Sequence, residues 1–252
     1  MRTFRVGSRC FEAGAFVFDK DGLLFESQRF WQELARERRI GLTGLEDDAF
    51  WHVWADCFGV TLDGGGEPVY VDPDGIFALA SESAEIDATA ALIVQRRHGC
   101  WDDAYAAARE IFRRADEALS PECALRPRPG FPDILRRLAA AGIPCCVATS
   151  DTLERAQRSL ALFGADGFIS HWITPADVAH GKPAPDMLRL AAERLGLPAG
   201  ALAMVGDSHV DMEMANAAGS IGVGVPETDK MRRRMEALGA ILADDLSRIE
   251  IL

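Results

Sequence analysis

The chain has 252 residues, 39 acidic and 27 basic, for a formal charge of −12, with 48% hydrophobic and 26% charged residues. That length and apolar content exclude a disordered chain and suffice for one large domain or two smaller ones. The acidic balance excludes the broad basic surface that nucleic acid or an anionic membrane needs, so neither is an expected partner. An anionic ligand would require local positive charge. Six cysteines, Cys10, Cys57, Cys100, Cys123, Cys145 and Cys146, form no CxxC pair, which suits a reduced, cytoplasmic chain. Residues 1–12 lack the apolar stretch of a signal peptide, and no run reaches the ~18 apolar residues of a membrane span.

In chain order, residues 13–18 are an apolar run that reads as one buried strand ending at Asp19. Residues 26–125 have a different texture. Phe30, Leu34 and Ala35 show helical spacing, Trp51, Trp54 and Phe58 form an aromatic group, Gly64-Gly65-Gly66 marks a turn, 69–71 is extended, and 86–118 is helical. Beyond Pro129 and Gly130, strands and helices alternate. Ile134, Leu135 and Leu138 share a helix face, 145–149 is a strand, and Leu153, Ala156, Leu160 and Phe163 repeat the helical spacing. A strand at 168–174 follows, then a helix from Pro185 through 187–195, closed by Gly196. Strands at 201–206, 220–225 and 241–243 alternate with helices at 212–218 and 231–238. Such a succession predicts an α/β fold with a Rossmann-like parallel sheet and helices on both faces.

Four segments at or beyond strand ends carry chemistry, and open parallel sheets bind ligands there. Asp19-Lys20-Asp21-Gly22 pairs two carboxylates with a glycine that lets the chain turn at once, a donor set suited to Mg2+; an acidic surface turn fits equally. Thr149 and Ser150 offer hydroxyls and amides to an anion, although Ser150 or Asp151 can instead cap the helix near Leu153. Lys182 lies between Gly181 and Pro183 in a stiff loop and supplies an ammonium, but the segment is not a nucleotide P-loop, because no Ser or Thr follows the lysine. Asp207 and Asp211 are four residues apart, which suits one metal ligand and one supporting carboxylate, or simply an acidic first helical turn.

Through Asp19-Lys20-Asp21-Gly22, Thr149, Lys182-Pro183 and Gly206-Asp207-Ser208-His209-Val210-Asp211, in that order, the chain resembles the haloacid dehalogenase superfamily of phosphohydrolases. Pro129-Gly130-Phe131-Pro132-Asp133-Ile134-Leu135 is similar to the core re-entry of its phosphoglycolate phosphatase and β-phosphoglucomutase branch. Leu23 and Glu26 depart from that branch, which commonly has Thr or Val and Asp there. The resemblance implies a core of residues 1–25 and 126–252 and a mainly helical cap of residues 26–125 that closes over the site.

It further implies that Asp19 attacks phosphorus to form an aspartyl-phosphate. Mg2+ is held by Asp19, Asp207 and the Asp21 backbone carbonyl. Gly22, Thr149, Ser150 and Lys182 hold the phosphoryl group, Asp21 is general acid and then base, and Asp211 supports Lys182 or the loop. Asp21 favours phosphate over halide chemistry, since a departing halide needs no proton. His209 reads as a partly exposed loop histidine, Trp31, Trp51 and Trp54 as cap packing, and Arg96, Arg97 and His98 as a solvated helix face. The expected activity is Mg2+-dependent hydrolysis of a small phosphorylated metabolite by a monomer or homodimer. A sugar phosphomutase with the same core residues, and a catalytically silent phosphate-binding or scaffold protein, are the alternatives.

Overall fold

The computed structural model describes residues 1–120 and 124–252 and separates the chain into two units, Met1–Glu26 with Arg126–Leu252 and, between them in sequence, Ser27–Leu125. Cys123 lies outside the described residues. The strands, in order, are β1 (Arg2–Val6), β2 (Arg9–Ala13), β3 (Ala15–Phe18), β4 (Val60–Leu62), β5 (Pro68–Val71), β6 (Cys145–Ala148), β7 (Ile169–Ile173), β8 (Leu202–Gly206), β9 (Ile221–Gly224), β10 (Ile241–Leu242) and β11 (Ile249–Ile251). No described helix is long and apolar enough to cross a membrane.

The first unit is built on a six-stranded parallel sheet in the order β10-β9-β8-β3-β6-β7. Residues of β3, β6 and β8 are buried along their whole length, which explains why these strands read as unbroken apolar runs: helices or further chain cover both of their faces. On one face Ala15, Val17, Cys146 and Met204 pack with Met187, Leu188 and Ala191 of helix Asp186–Leu195 and with Met214 and Ala215 of helix His209–Ala218. The α/β class and the order of alternating strands and helices in this half match the sequence pattern.

The amino terminus differs from expectation. The apolar run 13–18 is not one strand: β2 ends at Ala13 and β3 begins at Ala15, and the two belong to different sheets. Gly14 makes the junction, its N–H donating to the Ala201 carbonyl at 2.7 Å. β1 lies between β2 and β11 in an antiparallel sheet that joins the two ends of the chain. The pattern was hidden because β1 and β2 are rich in Arg and half exposed, while their inward residues pack on the main sheet. Phe4 meets Phe16 edge to face at 4.7 Å between ring centres and stacks with Phe11 at 5.7 Å.

The second unit is mainly helical, with helices Ser27–Leu45, Asp48–Phe58, Ile76–Leu79, Glu82–Arg97 and Trp101–Ala118. The helical region expected at 86–118 is two helices, Glu82–Arg97 and Trp101–Ala118, the former ended by His98 with φ 52°. The extended piece at 69–71 is one arm of a hairpin: β5 pairs with β4, which the sequence reading passed over. Trp51 and Trp54 are fully buried and stack at 5.5 Å, with their indole N–H groups donating to the Gly66 carbonyl at 2.8 Å and Thr89 Oγ1 at 2.9 Å. They are the core of this unit, as expected of packing residues; Trp31 packs against that core only partly buried. Arg96 and Arg97 are taken up by ion pairs with Asp47 and Glu46.

Phe4 is fully buried against Phe11 and Phe16. Phe4→Ala should therefore cost about 3–5 kcal/mol in urea unfolding; a loss below about 1 kcal/mol would mean that the terminal sheet is a loosely attached flap.

Candidate active site

Parallel pairing puts the carboxyl ends of β3, β6 and β8 along one edge, and each is followed by a polar residue: Asp19, Thr149 and Asp207. Hydrogen bonds carry the ladder one residue past the strands. Asp19 N–H donates to Val205 O at 2.9 Å and Thr149 N–H to Ile173 O at 3.1 Å, which fixes both backbones.

Lys182 reaches this edge from the loop between β7 and helix Asp186–Leu195. Its Nζ donates to Asp19 Oδ1 at 2.5 Å and to Asp211 Oδ1 at 2.7 Å. Asp211 sits in the first turn of helix His209–Ala218, where its other oxygen, Oδ2, accepts from the Ser208 hydroxyl at 2.8 Å and the Ser208 N–H at 3.3 Å. The two readings of Asp211, acidic first turn and support for Lys182, are thus one arrangement: the capping box aims one oxygen at the helix start and the other at the ammonium.

Two glycines let the acids come this close. Gly22 has φ +80°, and a Cβ there would lie 2.0 Å from Asp207 Oδ2. At Gly206 a Cβ would lie 2.3 Å from Asp211 Oδ2. Any side chain at either position displaces a site carboxylate.

Asp19, Asp207 and Asp211 bring ligand oxygens within 4.8 Å of one another. At that separation two carboxylates repel by about 3–4 kcal/mol at an effective dielectric near 20, more than a hydrogen bond returns. Burial, with the neighbouring Asp211 and Asp21 charges, pushes Asp19 up to about 7 in spite of Lys182. Burial and the charges of Asp19, Asp211 and Glu227 likewise hold Asp207 well above the carboxylate range. Burial draws Lys182 down, but Asp19 and Asp211 together raise it above a free lysine. An all-oxygen donor set short of positive charge fits a hard divalent cation. Lys182 and Ser208 engage Asp211, which leaves Asp19 Oδ2 and the Asp207 carboxylate as the donors.

Among the other expected residues, Thr149 is buried, and its Oγ1 accepts Asp151 N–H at 3.1 Å, so its own proton is left to donate. Ser150 is exposed beside it. The Asp21 carboxylate stands outside the acidic cluster, on Lys20 Nζ at 2.5 Å. The cap of helix Leu153–Ala161 is Thr152, not Ser150 or Asp151, and Asp151 instead pairs with Lys20 at 3.0 Å. His209 opens helix His209–Ala218 half-buried, not in a loop.

Sequence reasoning passed over Arg128 and Glu227, gave Lys20 no role within the first motif and read Asp151 only as a possible helix cap. Arg128 donates to the Gly22 carbonyl and pairs with Glu227 at 3.3 Å, steadying the turn that carries Asp21. The available signals were weak: a lysine flanked by aspartates reads as solvated, and Arg128 sits in a proline-rich re-entry segment.

The family model described as haloacid dehalogenase-like hydrolase matches residues 13–219. A protein of Dickeya dadantii called "Probable phosphatase IndB" is 40% identical over 120 residues, 44% of this chain and 51% of that protein. The phosphoglycolate phosphatase of Neisseria gonorrhoeae is 37% identical over 100 residues, 40% of this chain and 42% of that protein. The chain thus matches about half the length of these curated relatives or less. A crystal structure described as a predicted phosphoglycolate phosphatase from Haemophilus somnus superposes with a TM-score of 0.67 at 19% identity, covering 94% of this chain and 96% of that one, a likeness of fold.

A carboxyl whose folded pKa lies above its unfolded value binds more protons folded than unfolded between the two, so folding stability falls as pH rises through that window. For Asp19 the window runs from 3.8 to about 7. With EDTA present, Asp207→Asn should therefore gain stability relative to the parent chain as pH rises from 5 to 8, by about 0.5–2 kcal/mol at pH 8 in urea unfolding. A variant less stable than the parent at pH 8 would contradict the repulsion.

Proposed function

Because the chain belongs to the haloacid dehalogenase-like hydrolases, we propose that it is a phosphatase that hydrolyses a small phosphoric monoester through Asp19. The observation that carries this reading is the contact of Asp19 Oδ1 with Lys182 Nζ at 2.5 Å, at the end of a central strand beside Asp207. The names of the relatives from Dickeya and Neisseria point the same way, toward phosphate esters and, in the second case, phosphoglycolate.

In this reading Asp19 attacks phosphorus as the bond from phosphorus to the leaving oxygen breaks, giving an aspartyl-phosphate. Asp21 donates a proton to the departing alkoxide. It then takes a proton from the water that attacks the aspartyl-phosphate, releasing inorganic phosphate and restoring Asp19. Lys182 offsets the repulsion between the attacking carboxylate and the phosphate dianion, and Asp211 holds it there. The Thr149 hydroxyl and the backbone amides around Ser150 and Gly22 hold the phosphoryl oxygens. Asp19 and Asp207 would hold Mg2+, with the Asp21 carbonyl as a further donor; when bound, the ion supplies the positive charge that the two lysines do not. The unit Ser27–Leu125 enters the chain between the first and second motifs, and this reading assigns it the cap's role of choosing the leaving group.

Metal-stripped protein should release phosphate from a panel of monoesters, 2-phosphoglycolate included, only after Mg2+ is restored. Asp19→Asn should abolish release, and Asp21→Asn should lower kcat by about 10² to 10⁴ on an alkyl phosphate. Release that persists in Asp19→Asn or in EDTA overturns the reading, and conversion of a hexose 1-phosphate to its isomer without free phosphate would replace hydrolysis by transfer.

A further inference from the structure

We propose that Lys20 is a positioning residue: its buried ammonium holds the Asp21 carboxylate and, through Asp151, ties the loop after β3 to the loop after β6. The inference rests on the phosphatase reading, in which Asp21 is the proton donor.

Lys20 follows the apolar residues Phe16, Val17 and Phe18, and like them it is fully buried. A hydrocarbon side chain would fill that place without the several kcal/mol that desolvating an ammonium costs. The cost is offset by two carboxylates, Asp21 Oδ1 at 2.5 Å and Asp151 Oδ2 at 3.0 Å from Nζ. The Asp21 side chain is still 28% exposed, whereas that of Asp151 is 7% exposed, so the chain of charges runs from a protected anchor to a group that faces the reaction.

Both ends of this chain reach residues assigned to chemistry. The Lys20 carbonyl accepts Leu24 N–H at 2.9 Å, closing the turn that contains Asp21 and Gly22. Asp151 is itself braced. Its N–H donates to Thr149 Oγ1 at 3.1 Å, its Oδ1 accepts Thr152 N–H at 2.8 Å, and Arg155 pairs with it at 3.3 Å. The ammonium therefore references the proton donor on one loop to the phosphate-binding hydroxyl on the next. Without it Asp21 keeps its chemistry but loses its fixed distance from the leaving oxygen, and a misplacement near 1 Å is enough to cost about 10²-fold.

A purely structural lysine would affect all substrates alike, whereas a lysine that places a proton donor affects kcat/KM, which reports only steps through formation of the aspartyl-phosphate, just where the leaving group needs a proton. The test compares kcat/KM for an alkyl phosphate and for 4-nitrophenyl phosphate, whose leaving group departs as a stable anion. Lys20→Met, which keeps the apolar stem, should lose about 10- to 100-fold on the alkyl ester and less than about 3-fold on the nitrophenyl ester. Lys20→Arg, which returns a cation to the gap, should recover at least about half of that loss on a logarithmic scale. Equal losses on both esters, or no loss on either, overturn the proposal. Should Lys20→Met fail to fold, Asp151→Asn carries the same test, with a smaller loss confined to the alkyl ester expected and an equal loss on both overturning the proposal. A parent chain inactive toward both esters overturns the phosphatase reading and this inference together; an active parent with unselective variants overturns the inference alone.

Discussion

Three clustered carboxylates, Asp19, Asp207 and Asp211, stand beside one lysine, Lys182, which contacts Asp19 and Asp211, and much of the first unit follows from the need to hold like charges together where water screens them poorly. Each close charged pair costs about 3–4 kcal/mol at an effective dielectric near 20. Only a scaffold that leaves the side chains no retreat can keep them in place. That scaffold is the parallel ladder, which pins Asp19 by its N–H to Val205, together with the capping box that pins Asp211 to Ser208. The glycines at 22 and 206 belong to the same constraint, since they let backbone come within reach of the acids.

The strand order follows from burial. β3 lies between β6 and β8 in the middle of the sheet, so the residue that follows it is flanked on both sides by other strand ends. An edge strand would leave Asp19 open to solvent, and its carboxylate would hold neither a raised pKa nor a fixed direction. The antiparallel sheet of β1, β2 and β11 completes the cover: Phe4 and Phe11 fill the space beside Phe16 and join the chain's two ends. Two ammonium groups serve the site in different ways. Lys182 meets Asp19 and Asp211 within the acidic cluster, while Lys20 meets Asp21 and Asp151, which stand on neighbouring loops.

The local signals were legible wherever a residue's neighbours in sequence are also its neighbours in space. The buried strands β3, β6 and β8 show as apolar runs, the helix after Pro185 closes at Gly196 as its composition implies, and Ser208 with Asp211 forms the cap that their spacing permits. Asp19, Lys182 and Asp211 were singled out from separate segments, and the order of those segments carried the family resemblance. The failures share the opposite cause. β1, β2 and β11 carry exposed arginine and glutamate on one face, which masks the hairpin of β1 with β2, and β11 becomes a strand only through β1, a partner 245 residues away, as in the pairing of Arg5 with Glu250.

The sequence alone thus determined the fold class, the order of the elements along the core and the identity of the acids, lysine and threonine at the strand ends, because hydrophobic periodicity and motif order are local properties. Only the tertiary structure decided which carboxylate faces which cation. Asp151 looks like a helix cap until Lys20 is seen within 3.0 Å of it, and Asp211 looks like an acidic first turn until Lys182 arrives from 29 residues upstream. Charges act through space at a few ångströms regardless of separation along the chain, so the composition could report an acidic protein of charge −12, while the fold alone could gather those acids around two buried ammonium groups.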